Sequence, residues 1–324
     1  MARGIGEFEP IRAIVGEWLA LLAALLTQLG DVWFVVVLVS ALYVSGTSRV
    51  RWREAEALPG LVVIGFGVVG GLKALFALPR PPEVVVEPEL VPAIVRPLYA
   101  ATAAADGYGF PSGHAVIVTV VYVWLAHVLT VSTRRRRFAA AAAIVAVVCS
   151  TRVLLGVHYV VDVVAGVVVG LVLLVATRVV VDRAPTDPAT VTFGLGVAAA
   201  AFYYVASGGD TDSVLLLGAA LGAFGGWHVG RLRTLERRRR AFGASQRGRS
   251  DDERGGRVPA AGSTRRLRIA GAVLGLLPVI GFVFAFSVAP IYAAGGAIGL
   301  VAAAIAVVPN LRDPRGRALG ANSD

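Results

Sequence analysis

The chain has 324 residues, with a single cysteine and a single lysine, and only 16% of its residues are charged. An average soluble domain carries about 25% charged residues, so ordinary solvated surface is scarce here. One cysteine, Cys149, excludes an internal disulfide. No Cys/His cluster has the spacing of a zinc site, and the sequence gives no reason to expect a metal or any other cofactor. What the chain has in excess is apolar side chain: 56% of residues are hydrophobic and the mean hydropathy is +0.74. That excludes a soluble globular domain and points to a polytopic membrane protein. The net charge of +10 comes from arginines placed in short blocks between apolar runs. Such blocks read as cytoplasmic membrane loops rather than a nucleic-acid surface.

The apolar runs predict an all-α bundle of about nine transmembrane helices, or ten if the first segment crosses. Expected spans are Asp31 to Val44, Leu58 to Leu78, His114 to Val131, Phe138 to Leu155 and Tyr159 to Val181. Two apolar hairpins follow, Thr190 to Gly230 and Leu267 to Val308. Between Ile11 and Gly30 only Leu19 to Leu26 is strictly apolar, with Arg12, Glu17, Gln28 and Asp31 around it. An interfacial helix is expected there, with a short first span or an uncleaved signal-like start as alternatives. The domains expected are a catalytic bundle over 1–185, a hairpin over 186–230, a disordered cytoplasmic linker over 231–266, a second hairpin over 267–309 and a cytoplasmic tail over 310–324. The arginine blocks at Arg49–Arg53, Arg134–Arg137 and Arg231–Arg240 alternate to one side, which the positive-inside rule makes cytoplasmic. His127 and His228 read as packing or interfacial residues.

Chemistry gathers on the other side. Asp162 follows His158 by four residues, so on a helix the carboxylate and imidazole share a face. A carboxylate there fixes the imidazole tautomer and makes the second ring nitrogen a better nucleophile. Arg152, an always-charged guanidinium six residues before His158, suits a phosphate, and Gly156 lets the chain bend between them. Lys73 and Arg80 lie two helical turns apart and share a face if their helix continues. The lone lysine, in a chain that otherwise uses arginine, indicates a need for a compact ammonium. At Pro111-Ser112-Gly113-His114, a helix start offers free N–H groups and a hydroxyl as an anion cradle, with His114 just inside as an acid. Each has a bland reading as well: a helix-capping ion pair, a snorkelling lysine, a capped helix start.

Taken together, Lys73-x6-Arg80-Pro81, Pro111-Ser112-Gly113-His114 and Arg152-x5-His158-x3-Asp162 resemble the three-part signature of the type 2 phosphatidic acid phosphatase superfamily, in its membrane lipid-phosphatase branch. The resemblance covers roughly Leu58 to Val181, and Thr151 stands where a serine commonly precedes the arginine. It implies a metal-independent hydrolase in which His158 attacks phosphorus and forms a phosphohistidine. Asp162 would orient it, and His114 would protonate the leaving oxygen and later activate water. Lys73, Arg80, Arg152, Ser112 and Gly113 would hold the phosphate oxygens. The substrate would be a membrane lipid phosphate, phosphatidate-like, or a polyprenyl phosphate or diphosphate. The expected location is the cell membrane, multi-pass, with the site at the outer membrane–water interface. A lipid phosphotransferase shares the same intermediate. The superfamily's vanadate-dependent haloperoxidases are soluble, which the spans here oppose. A transporter using the same charges as a relay would place them nearer the bilayer midplane, and a non-catalytic scaffold would not need every chemical position filled.

Overall fold

A computed structural model describes residues 3–45, 47–82, 84–103, 107–251 and 301. The helices are α1 (Phe8–Ile14), α2 (Glu17–Thr27), α3 (Val32–Ser45), α4 (Trp52–Ala55), α5 (Leu58–Phe76), α6 (Arg96–Ala103), α7 (Gly113–Val128), α8 (Arg134–Leu154), α9 (Val160–Arg183), α10 (Pro188–Ser207) and α11 (Thr211–Asp251). Among the described residues there is no strand, only an isolated bridge between Val50 and Leu129.

Among the described residues, five helical segments are long and apolar enough to cross a membrane: Trp52–Phe76, Arg134–Leu154, Val160–Arg183, Pro188–Ser207 and Thr211–Leu232. A sixth is added if Phe8–Ile14 and Glu17–Gly30, bent by 112°, count as one broken span. The single interfacial helix expected over Ile11 to Gly30 is thus two helices, because the backbone is extended at Val15 and Gly16. Val32–Leu42 and Gly113–Val128 are apolar but shorter. The expected count of nine to ten spans is not reached among the described residues. The hairpin at Leu267 to Val308 lies outside them, apart from Val301.

The chain divides into two units, Met1–Ser213 and Val214–Asp324. In the first, α7 is the central element: twelve of its sixteen residues are buried, and α5, α8 and α9 all pack on it. The first unit runs past residue 185 to include α10, which packs along α5. In the second unit, α11 continues as helix through Arg231 to Asp251, where a linker without structure was expected. The Arg-, Leu- and Ala-containing sequence at its start has good helix formers, and the rest of that linker lies outside the described residues.

Helix α9 shows how an apolar solvent shapes the fold. Val164, Val168, Leu171, Val175 and Val179 recur at helical spacing and are exposed, while Asp162, Gly166, Gly170 and Thr177 face inward. Apolar outside and small or polar inside is the pattern of a helix that packs in lipid. At Gly166 a Cβ would lie 2.7 Å from both Ala115 Cβ and Ser112 O, and at Gly170 2.8 Å from Thr119 Cβ. The two glycines therefore let α9 touch α7, and a hydrogen bond from Ser112 N–H to Asp162 C=O (2.9 Å) locks the two helix starts together.

Candidate active site

The helix starts of α7 and α9, the end of α8 and the exit from α5 converge at one end of the bundle. The arginine-rich loop before α4 lies at the other end, where Arg51 N–H bonds the carbonyl of Val128 (2.9 Å) at the far end of α7. The sixteen residues of α7 put about 24 Å between these ends.

His158 lies in the turn between α8 and α9, which Gly156 makes possible with a left-handed backbone (φ 74°). It precedes α9 rather than riding on it, so the helical face expected for His158 and Asp162 is replaced by a contact across the helix start. Asp162 sits in the first turn of α9, where its Oδ2 accepts the Tyr159 N–H (3.0 Å). The same oxygen is 3.6 Å from His158 Nδ1. Both side chains are buried to within 1%. On the opposite ring edge, Arg80 Nη1 is 3.2 Å from His158 Nε2 and 3.1 Å from the Val157 carbonyl. A guanidinium has no acceptor, so Nε2 must carry the lone pair and Nδ1 the proton that faces Asp162. Burial, followed by the charges of Arg152, Arg80 and Lys73, holds this imidazole well below its ordinary pKa, so it is neutral.

Arg80 reaches this position from outside its helix. Ala77 takes a left-handed conformation (φ 48°) after α5, and Pro79 cannot continue the helix. The shared helical face expected for Lys73 and Arg80 is therefore absent, yet Lys73 is within electrostatic reach of Arg80, Arg152 and Asp162. Arg152, 3% exposed, donates from Nη1 to Thr27 Oγ1 (3.2 Å). Its Nε and the hydroxyl of the fully buried Ser112 have no hydrogen-bond partner among the described residues. Leaving such a group unpaired costs about 1–3 kcal/mol. Gly113 opens α7 ahead of its first intrahelical bond, Val116 N–H to Ser112 C=O, so its own N–H is uncommitted within the helix. His114 follows, with Nε2 at 3.3 Å from Asp31 Oδ1.

The eight residues expected from the sequence to form the site thus lie at this one end of the bundle. Three others were not singled out. Arg3 pairs with Asp162, Thr27 receives Arg152, and Asp31 pairs with His114. Asp31 stood at the edge of an apolar run, the one visible signal; Arg3 and Thr27 carried none. His127, at the far end, pairs with Glu54 (2.6 Å).

The fold and the site define a helical membrane protein with a buried histidine–guanidinium centre. Residues 57–185, less than half of the chain, match the family model of the PAP2 superfamily. The match supports a phosphatase-type hydrolase acting on phosphate esters. Comparison with curated proteins and with solved structures returns no match.

Proposed function

We propose that this protein is a metal-independent membrane phosphatase that hydrolyses a lipid phosphate, or a polyprenyl phosphate or diphosphate, through a phosphohistidine at His158. The observation that carries the reading is the 3.2 Å approach of the Arg80 guanidinium to His158 Nε2. A cation beside a neutral, lone-pair nitrogen draws a phosphate oxygen to the atom that attacks phosphorus. Nε2 forms a bond to phosphorus as the ester P–O bond breaks, and the leaving oxygen takes a proton from His114. Water then gives a proton back to His114 while its oxygen displaces Nε2, releasing phosphate and restoring the imidazole. Lys73, Arg80 and Arg152, with the Ser112 hydroxyl and the Gly113 N–H, hold the non-bridging oxygens as charge builds on them. Asp162 steadies the imidazolium that forms.

A site at helix ends and between apolar faces suits a substrate whose phosphate lies at headgroup depth. By the positive-inside rule the arginine-rich end is cytoplasmic, so the site faces outward from the cell membrane. The test is phosphate release by purified protein from a panel of lipid phosphates, with EDTA and with vanadate. Release that survives EDTA and stops with vanadate, a five-coordinate mimic of the transferring phosphoryl group, supports the reading. A strict requirement for added divalent metal contradicts it. Transfer of the phosphoryl group to an added lipid alcohol in preference to water would redefine the enzyme as a phosphotransferase. Outward orientation predicts that a cysteine placed in the 83–106 loop of a Cys149→Ala protein labels with an impermeant reagent on intact cells.

A further inference from the structure

The second histidine of the site has its own carboxylate, on an element outside the matched segment. The turn Gln28–Gly30 lies along one face of α7: Tyr122 donates to the Leu29 carbonyl (3.0 Å), and a Cβ on Gly30 would lie 2.8 Å from Val118 Cγ1 and 3.0 Å from His114 Cδ2. Only a glycine lets the backbone come this close to the imidazole. The next residue, Asp31, then brings Oδ1 to 3.3 Å from His114 Nε2. Gln28 pins the turn from behind, donating to Thr102 Oγ1 (3.1 Å) and accepting from Trp33 Nε1 (2.8 Å).

We infer that Asp31 is a positioning residue for His114: its carboxylate holds the Nε2 proton, fixes the tautomer and leaves Nδ1 as the nitrogen that exchanges the catalytic proton. This rests on the role given to His114 under the proposed function. The charged groups around His114 explain the need. Arg152 from α8 and Lys73 from α5 act on it as cations, and His158 is in electrostatic contact as well. Cations that hold a phosphate oppose a proton on a neighbouring imidazole, so a general acid in their midst needs an anion of its own. Asp31 supplies it at Nε2. When Nδ1 gives its proton to the leaving oxygen, the ring becomes neutral with Nε2–H still held by Asp31. Nδ1 is then an acceptor for the proton of the attacking water. His158 and His114 would thus each be paired with a carboxylate, Asp162 through Nδ1 and Asp31 through Nε2.

The test uses the full-length protein with Asp31→Asn, His114→Ala and the double variant, assayed on an alkyl phosphate lipid and on p-nitrophenyl phosphate. In parallel, imidazole 15N signals are titrated in wild type and Asp31→Asn, and His114 is assigned by its loss in His114→Ala. The expected result is that Asp31→Asn moves the His114 titration to lower pH. It should lower kcat on the alkyl phosphate by roughly ten- to a hundredfold and have little effect on phosphoenzyme formation from the aryl phosphate, whose leaving group needs no proton. KM should stay near wild type, the basic limb of the pH profile should move down, and the double variant should be no worse than His114→Ala. Asp31→Glu, which keeps the charge, should recover part of the loss and stands in if Asp31→Asn does not fold. An unmoved His114 titration, equal losses on both substrates, or effects that add to those of His114→Ala would each overturn the inference. If wild type releases no phosphate from either substrate, the phosphatase reading fails, and the titration alone decides whether Asp31 holds the His114 proton.

Discussion

Arg3 clasps Asp162 from outside the bundle: Arg3 Nε is 3.1 Å from Oδ1 and Nη2 is 3.3 Å from Oδ2. Nη2 also donates to the Pro79 carbonyl (2.7 Å), and the guanidinium lies over the Tyr159 and Phe110 rings at 5.3 and 5.8 Å. Glu7 adds to the clasp by accepting the Val160 N–H (3.2 Å) at the start of α9. The carboxylate that faces His158 is therefore shared with a cation, and its pull on the imidazole is weakened.

Arg3→Ala should accordingly raise the pKa of His158. In wild type, burial and neighbouring cations hold the pKa of His158, the proposed nucleophile, well below its ordinary value, so activity should fall on the acid side only as pH drops through that lowered value. Removing Arg3 takes away a cation and frees Asp162, both of which favour imidazolium. The acid limb of the pH–rate profile should move to higher pH, and less so for Arg3→Lys. An acid limb unchanged in Arg3→Ala would show that the clasp does not act on His158.

Lys73→Arg should damage activity although the charge is kept. Lys73 lies one turn from the end of α5, within electrostatic reach of Arg80, Arg152 and Asp162. A planar fork is bulkier than an ammonium and cannot take the same place among two guanidinia. A misplacement of about 1 Å costs on the order of a hundredfold, and kcat/KM should fall by a similar factor. Wild-type kinetics would mean that the site needs only a positive charge here.

Gly166→Val tests the docking of the two helix starts. Its first side-chain atom would lie 2.7 Å from Ala115 Cβ and Ser112 O, forcing α9 off α7 at the level of Asp162. Overpacking of this kind costs about 1–3 kcal/mol. A lower Tm in detergent and a loss of turnover should appear together. Unchanged values of both would place the helices further apart than described.

The helices were legible where apolar runs are long and end in arginines, prolines or glycines, as at Leu58–Phe76 and Val160–Arg183. Site residues were legible because their chemistry has fixed spacing at helix ends, as with Ser112-Gly113-His114. Tertiary relations were not. Nothing in a linear pattern shows that Arg3 reaches Asp162, 159 residues away in sequence, or that Gly30 brings Asp31 to His114. The helical face imagined for Lys73 and Arg80 failed on one left-handed residue, Ala77, which no propensity marks. The segment between Arg80 and Pro111, which no apolar run marks, contains α6 and the fully buried Tyr99. That hydroxyl donates to the Val86 carbonyl (2.8 Å), and burial with Glu87 nearby pushes its pKa to about 12.

The most direct test of the account is to trap the phosphoenzyme. Protein mixed with a 32P-labelled lipid phosphate is quenched in alkali, where phosphohistidine survives and serine and aspartyl phosphates are lost, and the labelled peptide is sequenced. Label is expected on His158 in wild type and in His114→Ala when the leaving group is a weak base, and both label and turnover should be absent in His158→Ala. Label on another residue, or wild-type turnover by His158→Ala, would contradict it.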